Sequence, residues 1–150
     1  MIPSDEFDYA LMHKYKPQKR KQGNHKTGNR ATYLDCVCAF DIETTRIPEI
    51  EQTVMYIWQF QIDLDYTVYG RTWESFKDFC TKLIDNMARD TTLCIYVHNL
   101  SYEFQFLRGV FDFAEDDVFC TDFRKILKCF LYNRRLEFRD SYIQTNMSLQ

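Results

Sequence analysis

Short continuous apolar runs alternate along the chain with stretches in which apolar residues recur every three or four positions. This pattern predicts the order of the strands and helices. Runs that are rich in β-branched and aromatic residues are typical of buried strands. The first predicted strand is expected to end at Asp41. Such runs predict strands at Tyr33–Phe40, Val54–Ile62, Tyr66–Tyr69, Leu93–Val97, Val118–Phe123, Ile126–Tyr132 and Leu136–Phe138.

Two helices are predicted between these strands. Apolar residues repeat at helical spacing over Trp73–Met87, and Thr72 is a suitable N-cap. A second helical pattern runs through Phe104, Leu107 and Phe111. Three strands followed by alternating helices and strands predict an α/β fold with a mixed sheet flanked by helices.

Residues 1–32 lack a sustained period and differ in charge from the rest of the chain. From His13 to Thr32 the sequence has seven Lys or Arg, two His and no acid. Residues 33–150 have 12 basic and 19 acidic residues, a balance of −7. We predict a basic, flexible extension over residues 1–32 and a domain over residues 33–150. A polyanion contact and a merely solubilising role both stay open for the extension.

Composition narrows the class of protein. With 150 residues, 45% of them hydrophobic and 27% charged, the chain has room for one globular domain with a core. No apolar run approaches the ~20 residues of a membrane span and no signal peptide is evident, so we expect a cytoplasmic protein without a membrane partner. The six cysteines form no C-x-x-C pair, and we expect thiols without a disulfide partner.

The most informative segment carries two acids at alternate positions, Asp41 and Glu43. Residues two apart on a strand share a face, so these carboxylates would lie side by side at the end of a buried strand. A divalent cation would relieve their repulsion, although two solvated acids at a strand end are also common.

A second polar cluster follows the predicted strand at Leu93–Val97. Glu103 would lie near the first turn of the next helix and could be a third acid that faces a metal ion. The simpler explanation for an acid at this position is that it stabilises the N-terminus of the helix. His98, Asn99 and Tyr102 would offer hydrogen bonds and a stacking surface to a nucleic-acid strand. This second cluster favours a functional interpretation of the first.

D-I-E-T-T at residues 41–45 and H-N-L-S-Y-E-F at residues 98–104 together resemble two motifs of a known family. These are the first and second exonuclease motifs of the protein-primed family B DNA polymerases of phages and linear plasmids. The resemblance covers roughly residues 33–143. It implies a ribonuclease H-like 3′–5′ exonuclease fold, a place in DNA replication and, for a phage-encoded chain, the cytoplasm of a bacterial host.

The resemblance also implies roles for individual residues. Asp41 and Glu43 match the metal-binding acids of the first motif, and Glu103 stands where the family usually has Asp. These three are the implied catalytic ligands of two Mg²⁺ or Mn²⁺ ions. Asp140-Ser141 resembles the start of a segment that contacts single-stranded DNA and the terminal protein. The implied contacts to the 3′ end of single-stranded DNA are Thr44, His98, Asn99, Tyr102 and Ser141.

The family's third motif, Tyr-x-x-x-Asp, and its polymerase motifs are not found in this sequence. We therefore expect an incomplete exonuclease-like domain. The chain is either truncated at the C-terminus, or the product of a degenerate reading frame, or part of a site that another polypeptide completes. Two functions stay open at this point. The chain is either the exonuclease portion of such a polymerase or an inert module that only binds single-stranded DNA or a terminal protein.

Overall fold

A computed structural model describes residues 1–18, 31–121 and 125–141, and within them one eight-stranded mixed sheet dominates the fold. The described residues also form two α-helices, α1 at Trp73–Asp85 and α2 at Leu100–Leu107. Short 3₁₀ helices lie at Tyr9–Lys14 and Glu115–Asp117. The strands are β1 Ile2–Pro3, β2 Thr32–Ile47, β3 Gln52–Ile62, β4 Tyr66–Gly70, β5 Thr91–Val97, β6 Val118–Cys120, β7 Ile126–Leu131 and β8 Leu136–Asp140.

Three parallel strands form the centre of the sheet. The spatial order is β1-β4-β3-β2-β5-β8-β7-β6, in which β2, β5 and β8 are parallel neighbours. Antiparallel pairs extend the sheet on both sides, β3 and β4 beyond β2, and β7 and β6 beyond β8. Parallel neighbours end at the same edge of a sheet, so the carboxyl ends of β5 and β8 lie together beside the middle of β2.

The core lies on one face of this sheet. Along β2 every second residue from Leu34 to Ile42 is buried, while the residues between them face outward. Phe76 of α1 stacks on Phe40 with ring centroids 4.8 Å apart, and Phe138 of β8 packs edge-on against Phe40 at 5.8 Å. The outward face carries exposed apolar side chains, of which Val37 is 62% exposed.

Helix α1 forms for the reasons that its sequence predicts. Its buried side chains follow helical spacing and face the core. The side chain of Thr72 accepts the N–H of Ser75, and Ser75 Oγ accepts the N–H of Thr72, which together satisfy two amides at the start of the helix. The predicted N-cap is therefore confirmed.

The predicted α/β class with a mixed sheet is confirmed, and the elements after residue 31 occur in the predicted order. Two predicted ends are wrong by four or more residues. Strand β2 continues past Asp41 to Ile47 because it pairs with β3 along that length. Helix α2 ends at Leu107, so Phe111 lies in the following segment. The predicted end of β6 at Phe123 lies outside the described residues.

Residues 1–18 pack on the sheet, which differs from the flexible extension that the sequence predicts. Strand β1 pairs in parallel with β4, and the N–H of Asp35 donates to the carbonyl of Lys16 at 2.7 Å. Phe7, Met12 and Tyr15 are buried in the common core. Their irregular spacing explains why no period is visible in this stretch. The remainder of the predicted extension, residues 19–30, lies outside the described residues.

Cys36 and Cys38 are buried in β2, and Cys94 is half-buried in β5. Among the described residues, no helix is long and apolar enough to cross a membrane.

Replacing Met12 with Ala tests the docking of the N-terminal segment. Met12 is fully buried, so the change should lower the free energy of unfolding by about 2–4 kcal/mol through lost burial and a cavity. Urea titration measures this loss. Leu64→Ala is the control, because Leu64 is 94% exposed and its truncation should change stability little. Equal stability of the two variants would contradict the docked arrangement.

Candidate active site

The two acids of the first motif lie within β2 rather than at its end. Asp41 and Glu43 are both exposed and occupy alternate positions, as predicted for one face of a strand. The parallel pairing of β2 with β5 stops at Ala39 and Tyr96, two residues before Asp41. The acids therefore stand just beyond the carboxyl end of β5, and not at the end of their own strand as the sequence predicted.

The second motif meets the first through a direct hydrogen bond. Thr44 Oγ1 and Tyr102 Oη are 2.7 Å apart, although the two residues are separated by 58 positions in sequence. Tyr102 is 37% exposed, and its ring packs edge-on against Phe106 at 5.4 Å. The tyrosine therefore has a fixed position and still presents a surface to solvent.

The turn between β5 and α2 exposes two polar side chains, His98 and Asn99. Asn99 has a left-handed backbone with φ 59°, a conformation that Asn tolerates better than most residues. A groove of about 400 Å³ runs along the outward face of the sheet beside this turn, and its lining includes Asp41, His98 and Ser141. Three of the predicted site residues thus border one groove.

Glu103 is a buried acid of the site. It lies in the first turn of α2 with 3% of its surface exposed, and its Oε2 atom has no hydrogen-bond partner among the described residues. Burial raises the pKa of Glu103 to about 7, and the negative charges of Asp41 and Asp140 add to this shift. The backbone N–H groups of Glu103 and Ile42 act in the opposite direction.

Asp140 is a further acid at this edge, which the sequence singled out only through the Asp-Ser resemblance. It ends β8 and pairs in register with Val97, the last residue of β5. Asp140 is buried, and its Oδ1 atom accepts the N–H of Leu100 at 2.7 Å. Its place after a buried parallel strand, as for Asp41, is the sequence signal that could have marked it.

The acids of this edge suit a divalent cation in their chemistry. Carboxylate oxygens are the ligands that Mg²⁺ prefers. The Oε2 atom of Glu103 has no hydrogen-bond partner among the described residues, and the charges of Asp41 and Asp140 act on this carboxyl. In residues 1–18, 31–121 and 125–141, no three His, Cys, Asp or Glu side chains form a ready-made metal cluster. The metal role of Asp41, Glu43 and Glu103 stays a prediction.

No protein-family model matches this chain, and no curated protein is significantly similar to it. Among solved structures, the chain is similar to Phi29 DNA polymerase in a post-translocation binary complex with primer-template DNA, with a TM-score of 0.49 and 17% identity. It is also similar to that polymerase in a ternary complex with primer-template DNA and incoming nucleotide substrates, with a TM-score of 0.48 and 17% identity.

In both comparisons 71% of this chain is covered, against 21% and 20% of the polymerase chains. This chain therefore spans about a fifth of the length of those structures. TM-scores below 0.5 at this identity leave its fold family unassigned.

Replacing Glu103 with Gln tests the burial of its charge. A carboxyl whose pKa is raised from 4.5 to about 7 by folding costs no stability below pH 4.5, and the cost grows as the pH rises through 7. Glu103→Gln should therefore gain about 1–3 kcal/mol relative to wild type between pH 5 and pH 8. Melting in EDTA at both pH values measures the change. A pH-independent difference would contradict a buried, charged Glu103.

Proposed function

We propose that this chain is the 3′–5′ exonuclease portion of a protein-primed family B DNA polymerase, with a ribonuclease H-like fold. One observation carries the proposal: the hydrogen bond between Thr44 and Tyr102 joins the two sequence motifs at one edge of the sheet. The same edge holds Asp41 close enough to Glu103 for its charge to act on that carboxyl. The hydrogen bond and the charge effect support the proposal that residues distant in sequence form one site.

Three acids would hold Mg²⁺ or Mn²⁺ in this proposal: Asp41, Glu43 and Glu103. Bound divalent ions would supply activation of water for attack on the phosphodiester and relief of charge on the departing 3′ oxygen. The two exposed acids, Asp41 and Glu43, are accessible from the groove side of the sheet, whereas Glu103 approaches from α2. The site therefore combines two solvated carboxylates with one that the protein holds in a fixed, buried place.

The remaining polar residues would bind the terminal nucleotides of a single strand of DNA. Tyr102 offers an exposed ring for base stacking, and Thr44 holds its hydroxyl. His98 and Ser141 border the groove beside Asp41, while Asn99 stands exposed at the start of α2. These contacts would direct a 3′ end toward the acids. Hydrolysis of the terminal phosphodiester would then release nucleoside 5′-monophosphates.

The family resemblance extends the proposal to partners and location. A terminal protein would be a second partner of the intact polymerase, which would act in the cytoplasm. The basic residues of segment 1–32 would contact the phosphates of the DNA strand.

Digestion of a 5′-labelled single strand tests the proposed activity. Wild-type protein with Mn²⁺ should shorten the strand from its 3′ end, and EDTA should stop the reaction. Asp41→Asn should lower the rate on the order of 10²–10³-fold, because the divalent ions would lose a carboxylate ligand and would relieve less charge on the departing oxygen. Asp35→Asn is a matched control, since Asp35 is exposed on the same strand.

The binding measured in EDTA separates the two candidate functions. Tight binding of the strand in EDTA, together with no digestion when Mn²⁺ is added, would support an inert single-strand binding module. Absence of both binding and digestion would contradict the proposal as a whole.

Replacing Tyr102 with Ala tests the stacking role. Loss of a stacked base should weaken binding of a short oligothymidylate in EDTA about tenfold or more. Fluorescence anisotropy measures the dissociation constant without interference from cleavage. Phe119→Ala is the control, because Phe119 is exposed to nearly the same extent, 38%, but lies on the edge strand β6. Equal losses in the two variants would rule out a specific role for Tyr102.

A further inference from the structure

Helix α2 begins without a cap from its own N-cap residue. Asn99 occupies the N-cap position, but its side chain makes no capping hydrogen bond. The first amide of the helix, that of Leu100, instead donates to Oδ1 of Asp140, a residue 40 positions further along the chain. A strand residue therefore supplies the cap that local sequence usually provides.

The residue that supplies this cap is itself firmly held. Asp140 is 2% exposed and stands opposite Val97 in the parallel pairing of β5 and β8. A second bond fixes the same turn, since Ser101 Oγ accepts the N–H of Ile126 at 3.0 Å. The start of α2 is therefore attached to β8 and β7 as well as to its own strand β5.

The position of α2 determines where two site residues lie. Tyr102 and Glu103 are the third and fourth residues of the helix, so they move with its first turn. Tyr102 is hydrogen-bonded to Thr44 across the site, and Glu103 is buried within range of the negative charge of Asp41. A shift of the first turn would move both side chains together, and misplacement by about 1 Å can cost on the order of 10²-fold in rate.

We propose that Asp140 is a positioning residue that places Tyr102 and Glu103 by capping α2 from strand β8. The inference rests on the proposed exonuclease function and extends it to a residue outside the predicted metal ligands. The arrangement also explains the exposure of Asn99. Because Asp140 takes over the capping bond, the Asn99 side chain stays at the surface, where the proposed function requires it to meet DNA.

A carboxylate suits this position better than an uncharged acceptor. Hydrogen bonds from backbone N–H groups to a charged oxygen are stronger than those to a neutral one. The N-terminus of a helix also carries partial positive charge, which a negative side chain stabilises. The same negative charge acts on Glu103, so Asp140 ties the placement of that acid to its electrostatic surroundings.

The test compares Asp140→Ala, which removes the cap, with Asp140→Asn, which keeps an acceptor oxygen at the same place. Asp112→Asn is the control, because Asp112 is exposed beyond the end of α2. Each variant of the full chain is measured for kcat and KM on a single-stranded oligonucleotide with Mn²⁺. Amide hydrogen exchange of residues 100–103 is followed in EDTA, with the amides of α1 as an internal reference.

Asp140→Ala should lose amide protection at residues 100–103 while α1 stays protected, and its kcat should fall about tenfold to hundredfold. Asp140→Asn should restore most of both. A purely structural role would lower the protection of α1 as well and would leave kcat per folded molecule unchanged.

Unchanged protection at residues 100–103 in Asp140→Ala would overturn the inference, whatever the activity. If wild type neither binds nor digests the oligonucleotide, the proposed function fails. The exchange data then still decide whether Asp140 holds α2. If Asp140→Ala does not fold, Asp140→Leu takes its place, because leucine removes the acceptor oxygen but fills the buried space. Full protection of residues 100–103 in Asp140→Leu would overturn the inference.

Discussion

The parallel alignment of β2, β5 and β8 is the constraint on which the rest of the site depends. Its register places Ala39 beside Tyr96 and Tyr96 beside Arg139. Two positions after Ala39, Tyr96 and Arg139, the chain has Asp41, His98 and Ser141. These three residues therefore lie near one another, at the carboxyl ends of β5 and β8. Ligand sites of open α/β sheets commonly lie at this edge, outside the carboxyl ends of the strands.

Glu103 shows how the site and the stability of the fold oppose each other. Burial of a carboxyl beside two other acids disfavours its charged form, and the protein accepts this cost at the edge of a large aromatic core. Glu137 of β8 is buried as well, but Arg139 and the Tyr33 hydroxyl donate hydrogen bonds to its carboxylate. Among the buried acids of the described residues, Glu103 is the one with an oxygen that lacks such a partner. Groups with perturbed pKa values of this kind cluster at functional sites.

Sequence reasoning worked where burial imposes a period and where a motif fixes spacing. The strands that cover the core and helix α1 have clear periods, so their order could be predicted. The extension of β2 could not, because Thr44–Ile47 is largely exposed and is held by pairing with β3. The docking of Met12 was missed because a 3₁₀ helix and irregular turns leave no repeat.

The candidate site likewise has features that the local sequence predicts and features that depend on tertiary contacts. The residue types of Asp41, Glu43 and Glu103 followed from the two motifs, whereas their surroundings depend on tertiary contacts. The burial of Glu103, the bond between Thr44 and Tyr102 and the cap from Asp140 join segments about 40 to 60 residues apart, and no local pattern encodes them. Their physical origin is the sheet register.

The two ends of the sheet have a consequence for association between copies of the chain. An edge strand exposes unpaired N–H and C=O groups that can extend a sheet into a neighbouring molecule. In the described part of this chain, the outermost strands are β1 with two residues and β6 with three. An eight-stranded sheet thus ends on both sides in strands too short to template a long intermolecular ladder, which protects the chain against edge-to-edge aggregation at high concentration.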